Sequence, residues 1–185
     1  GARDYACMLL MAFNGLRTIE VHRLIWGDIT TMNVHTDKGH ESMKSIQVHR
    51  KGKEDKATLP LFEDVHKALE DYRKKLKNTG EKIEANAPLF TAHSDLYTHR
   101  DGVSPGAIST ASLRYLVRKL KKDSGIIDER HTLTAHSLRH HAINKIRDKH
   151  GIDMAQLFAG HSSINTTMIY VKKKERKEKL NTLAA

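Results

Sequence analysis

The sequence predicts a mainly α-helical fold carrying one small antiparallel β-sheet, an α+β domain, and three observations predict it. Apolar residues recur at helical spacing in several separate segments, the period switches to alternation between about residues 28 and 61, and 185 residues bury one sizeable core but crowd a second. One domain is expected over residues 1–173, followed by a basic, helix-capable tail over 174–185.

Tyr5, Leu9, Ala12, Phe13 and Leu16 mark a first helix that should end at Asn14-Gly15. A second begins near Thr18 and carries Val21, Leu24 and Ile25 inward, which places Arg17 at a junction between two packed helices. An arginine beside a core needs a partner, because burying an unpaired charge is costly. Glu20, three residues on, is within reach; taken alone the two read as an ordinary surface pair worth roughly 0.2–0.5 kcal/mol. Ile46 and Val48 then alternate with Ser45, Gln47 and His49, and Leu59 and Leu61 repeat the pattern, so this region forms short strands. The charged residues 51–56 form a hairpin tip, a composition that is usually just solvated.

Residues 63–77 form a helix with Val65, Leu69, Tyr72 and Leu76 on one face, stopped by Asn78-Thr79-Gly80. Residues 80–105, with Pro88, Gly102 and Pro105, read as a long surface loop holding one buried stretch, Leu89-Phe90. Ser104-Pro105 starts a helix to about Lys122, with Leu113, Leu116, Val117 and Leu120 inward. Its outer face is basic, and Arg114, Arg118 and Lys121 are its candidate nucleic-acid contacts, against the commoner reading of a solvated charged face. A link over 125–133 leads to a helix in which Leu138, Ala142 and Ile146 pack inward, and residues 152–158 form a further short helix.

Lysine and arginine total 32 against 22 acidic residues, a formal net charge of +10 that favours a polyanionic partner. No run of about 18 apolar residues exists to support a membrane span. The single cysteine, Cys7, lies in an apolar helical pattern and reads as core packing in a reducing compartment. The thirteen histidines include no set with structural zinc spacing.

His136, Arg139 and His140 fall at i, i+3 and i+4, so they share one helix face. Tyr170 follows His161 by nine residues, and a helix break at Gly160, with a restart at Ser162-Ser163, is needed to bring the phenol back towards that face. Arginine, histidine and a phenol around one spot suit phosphate chemistry, because arginine clamps phosphate oxygens and a tyrosine oxygen can attack phosphorus. No metal-ligand set is implied.

The spacing His136-x-x-Arg139-His140, Gly160-His161 and Tyr170, joined to Gly15-Leu16-Arg17-Thr18-Ile19-Glu20 and the hairpin stretch from Arg50-Lys51-Gly52-Lys53 to Pro60-Leu61, resembles the catalytic domain of tyrosine site-specific recombinases. The family includes phage and transposon integrases, and the likeness spans roughly residues 3–172. It implies that family's catalytic-domain fold and site-specific DNA recombination or integration through a 3′-phosphotyrosine on Tyr170, without metal, ATP or other cofactor. Arg17 and Arg139 would bind the scissile phosphate, His136 act as acid or base, and His161 donate a hydrogen bond to the phosphate. Lys51 would be the general acid, with Lys53 as the alternative, while Glu20 and His140 support the others. The resemblance further implies double-stranded DNA as partner, a homotetramer on two DNA sites, a monomer or weak oligomer without DNA, and an accessory directionality factor. The expected setting is the bacterial cytoplasm or nucleoid, or a phage-encoded protein acting there, with no membrane partner. Such recombinases carry an N-terminal core-binding domain, expected to be absent from this chain, and the tail, through Leu180 and Leu183, would pack on a neighbouring protomer, with folding back in cis or a solvated charge run as the alternatives. Two other readings stay open within this likeness: a non-catalytic DNA-binding module on the same fold, and DNA relaxation of the type IB topoisomerase kind. A ribonuclease using His136 and His161 is the outsider.

Overall fold

The computed structural model describes residues 1–36, 39–50, 52, 54–92, 106–125 and 133–160. Helix α1 (Ala2–Ala12) is central and packs against α3, α5, α4 and α2, defined below. Covered on several sides, it buries a broad face of Ala6, Cys7, Leu9, Leu10 and Met11. Tyr5, expected in the core, is instead 60% exposed, because the buried stripe is centred on Ala6 and Leu10. Burial pushes the Cys7 thiol pKa far up, consistent with a packing role.

The chain reverses through Gly15, whose φ of +65° is left-handed and whose missing Cβ would stand 3.1 Å from Ile143 Cδ1. Arg17 is the N-cap of α2 (Thr18–His22), so the expected helix junction is present. A short 3-10 turn over Trp26–Asp28 leads into the sheet.

Strands β1 (Ile29–Thr36), β2 (Gly39–His49) and β3 (Lys56–Pro60) form one antiparallel sheet in the order β1-β2-β3, with Ile46 opposite both Ile29 and Leu59. The inward face carries Ile46, Val48 and Leu59, all fully buried. Period-two alternation along β2 puts the next inward position at residue 50, which is an arginine.

Helix α3 (Glu63–Asn78) buries Val65, Ala68, Leu69 and Tyr72 against α1. Tyr72 stacks between Trp26 and Phe90, with ring centroids 5.9 and 5.7 Å away. The expected buried stretch Leu89-Phe90 is held by backbone bonds, with Leu89 N–H donating to Leu24 O at 2.8 Å and Ile108 N–H to Phe90 O at 2.8 Å.

Helix α4 (Thr110–Asp123) starts later than the sequence suggested. Ala107 is bridged to Thr91 and Ile108 is tied to Phe90, so the chain there is extended; the cap is Ser109, whose hydroxyl accepts the Ser112 N–H at 3.0 Å. The position expected for that start, Ser104-Pro105, lies outside the described residues. Leu113 and Val117 are buried and Leu116 partly so, but Leu120, expected inward, is 44% exposed one turn beyond them.

Helix α5 (Ala135–Ala159) is capped by Thr134, whose hydroxyl accepts the Ser137 N–H at 3.0 Å. Gly151, at φ 86° and ψ 173°, breaks it into the two helical runs the sequence suggested. Ala142, Ile143 and Ile146 fill the core from the first run, and Ala155, Phe158 and Ala159 from the second. Gly160 closes the helix in the left-handed conformation, φ 58° and ψ 34°, as expected of a C-cap glycine. No described helix is long and apolar enough to cross a membrane.

Candidate active site

The site grows from one buried carboxylate. Glu20 is 2% exposed and both of its oxygens are occupied. Oε1 accepts from Arg17 Nη1 at 2.9 Å and from Arg50 Nη1 at 2.9 Å; Oε2 accepts the Arg17 backbone N–H at 2.7 Å and lies 3.5 Å from Arg139 Nη1. Burial alone would raise the Glu20 pKa. The Arg50 guanidinium, the Arg17 N–H and Arg139 together outweigh that penalty and hold the carboxyl below the ordinary glutamate range.

Each arginine arrives from a different element. Arg17 sits at the α2 N-cap and its side chain is 37% exposed, so its guanidinium is held by Glu20 while open to solvent. Arg139 comes from the first turns of α5 and is 6% exposed; its Nη1 donates to Gly15 O and its Nη2 to Ala159 O. Those bonds tie the α1–α2 turn to the end of α5. Three guanidinium groups around one carboxylate make the cluster electropositive, which suits an anion at the open Arg17 edge.

Arg50, which sequence reasoning did not single out, is the third member. It is 4% exposed, and besides its bond to Glu20 its Nη2 donates to Phe158 O at 2.8 Å. Its guanidinium passes so close to Gly160 that a Cβ there would stand 2.9 Å from Nε. The signal in the sequence was the alternation Ile46, Val48, Arg50, a charge where an apolar residue continues the pattern.

His136 is exposed on the first turn of α5, and His140, one turn on, is half-buried with its Nδ1 2.8 Å from Asn144 Nδ2. The shared helix face therefore splits by depth, with Arg139 in the junction and His136 at the surface. Lys51, Lys53, His161, Tyr170 and the tail over 174–185 lie outside the described residues, although Lys51 follows Arg50 directly and His161 follows Gly160. Arg114 and Arg118 are exposed on α4 and Lys121 is half-buried. Among the described tyrosines, Tyr72 is ill suited to attack a phosphate: it is core-packed, and burial raises its pKa. Among the described residues no group of three or more His, Cys, Asp or Glu is arranged to hold a metal.

Comparison with known proteins gives the family of the chain. The model of the phage integrase family matches residues 1–177, and the chain belongs to that family. It is 30% identical over 172 residues to tyrosine recombinase XerD of Xanthomonas axonopodis pv. citri (strain 306), covering 92% of this chain and 50% of that protein. Among solved structures, the XerA recombinase superposes with a TM-score of 0.66 at 24% identity, covering 91% of this chain and 53% of that one. The XerH site-specific recombinase bound to its difH substrate, in a pre-cleavage complex, superposes with a TM-score of 0.66 at 22% identity over 92% of this chain and 42% of that one. At these identities the structural likeness is one of fold: the tyrosine recombinase catalytic-domain fold, mostly helical with a small antiparallel sheet. The chain spans half the length of the XerD relative.

Proposed function

We propose that this chain is the catalytic part of a tyrosine recombinase that cuts and rejoins double-stranded DNA at specific sites. The observation that carries the reading is the Glu20 junction. It holds a half-exposed Arg17 and a buried Arg139 together at the C-cap that leads directly into His161. Family membership and the relatives' recombinase names support it.

In this reading the Tyr170 oxygen bonds to the scissile phosphorus as the bond from phosphorus to the 5′ oxygen breaks. The phenolic proton passes to His136, and the departing 5′ oxygen takes a proton from Lys51. Arg17 and Arg139, with a hydrogen bond from His161, stabilise the charge of the pentavalent transition state. The products are a 3′-phosphotyrosine and a free 5′ hydroxyl. Attack by the 5′ hydroxyl of a partner strand reverses the step and conserves one ester bond, so neither ATP nor metal is required. The acting assembly is a homotetramer on two DNA sites, with residues 1–173 as the catalytic domain, the 174–185 tail exchanged between protomers and an accessory factor setting direction. The setting is the bacterial cytoplasm or nucleoid.

The test is covalent capture. The chain is incubated with a library of nicked duplexes of random sequence, and SDS-resistant protein–DNA adducts are isolated and sequenced. Adducts should form equally in EDTA and vanish in Tyr170→Phe. Adducts that persist in the Phe variant, or that need a divalent metal, would overturn the mechanism.

A further inference from the structure

We propose that Arg50 is a positioning residue for the general acid, fixing the lysine-bearing hairpin in register with the arginines that bind the phosphate. The inference rests on the reading of Lys51 as general acid given above.

Arg50 is the last inward residue of the β2 alternation, one peptide bond before Lys51. A buried guanidinium is costly, and an apolar side chain of similar volume would often serve stability as well. What an apolar residue cannot supply is the forked connection seen here. Nη1 reaches the same Glu20 oxygen that holds Arg17, both at 2.9 Å, and Nη2 reaches Phe158 O at 2.8 Å in the last turn of α5. The neighbouring carbonyl in that turn, Ala159 O, receives Arg139. One planar group thus joins the start of the hairpin to the supports of both phosphate-binding arginines.

Two further features point the same way. Gly160 leaves room for this guanidinium, since a Cβ would fall 2.9 Å from Arg50 Nε and 3.0 Å from Cδ. The far end of the hairpin is pinned too: Lys56 Nζ lies 2.5 Å from Asp28 Oδ1, and the buried Asp28 also accepts the Ile25 N–H at 3.0 Å. The two described ends of the hairpin, Arg50 and Lys56, are therefore each anchored on a buried carboxylate. A Cα one residue from an anchor stays within about 3.8 Å of it, so the position of Arg50 bounds that of Lys51. Misplacement of a reacting group by about 1 Å can cost about a hundredfold in rate, which makes such anchoring consequential.

The experiment compares single-turnover cleavage of an ordinary captured site with the same site carrying a 5′-bridging phosphorothiolate, whose sulfur leaves without needing a proton. Arg50→Gln should slow the ordinary site by about 10²-fold yet stay within about threefold of wild type on the phosphorothiolate, matching Lys51→Ala. Arg50→Lys, a point charge that cannot span both acceptors in one plane, should show the same pattern with a smaller loss. Combining Arg50→Gln with Lys51→Ala should be no slower than Lys51→Ala alone. Melting temperatures accompany each rate; if Arg50→Gln does not fold, Arg50→Lys decides by the same comparison. Equal slowing of both substrates by the Arg50 variants, with Lys51→Ala rescued, would overturn the positioning role and leave the general acid standing. Lys51→Ala left unrescued would instead remove the general-acid reading and this inference with it.

Discussion

Two basic regions of this protein hold arginines in opposite circumstances. Around Glu20, Arg50 and Arg139 are almost wholly buried and their contacts are directed ones, to a carboxylate and to four backbone carbonyls. On the outer face of α4, Arg114 and Arg118 are exposed, and the neighbouring Lys119 pairs with Asp123 at 2.6 Å in an equally exposed position. The first region is defined by geometry: remove one partner and a charge is stranded away from water. The second is defined by summed charge, which salt screens and single substitutions change gradually.

The contrast breaks most sharply at Glu20. Glu20→Gln leaves three guanidinium groups without their shared anion and should destabilise the fold by about 3–5 kcal/mol in urea unfolding. The pH dependence follows from the sign of the shift. The folded Glu20 pKa lies below its unfolded value, so its contribution is fully present above the unfolded pKa of about 4.3 and is lost as pH falls through the folded value. The stability gap between wild type and Glu20→Gln should therefore stay constant from about pH 7 to 5 and narrow below about pH 4.

Gly160→Ala should cost less. A non-glycine residue at φ 58° carries a left-handed penalty of about 1–2 kcal/mol, and its Cβ presses on the Arg50 guanidinium. Because the second cost depends on that side chain, it should shrink in an Arg50→Gln background, a coupling that a double-mutant cycle reads directly. The smallest effect on stability belongs to α4. Arg114→Ala and Arg118→Ala should leave the melting temperature unchanged, yet each should lower the salt slope of DNA binding by about one. A clear loss of stability at α4, or none at Glu20, would erase the distinction between the two regions.

Local pattern made much of this legible in the sequence. The helical spacing found α2, α3 and both runs of α5, and the alternation found the sheet, because each depends on residues adjacent in the chain. Gly160 as a cap was legible for the same reason. The start of α4 was not, since the extended chain before it is held by Phe90 and Thr91, which are remote in sequence. Glu20 read as a modest partner for Arg17 because its other two arginines come from positions 50 and 139. Arg50 stayed hidden because its second acceptor, Phe158 O, is 108 residues away. His136 and Arg139 looked equivalent on one helix face, and only tertiary packing buries one and exposes the other.

In the proposed reaction the buried junction holds Arg17 for the transition state and not for binding. The direct measurement takes Arg17→Ala, with its melting temperature checked, and compares affinity for an uncleaved captured site with the single-turnover rate of strand cleavage. The rate should fall by about 10²–10³-fold while affinity stays within about threefold of wild type. Equal losses in the two would contradict the claim and mark Arg17 as an ordinary phosphate contact.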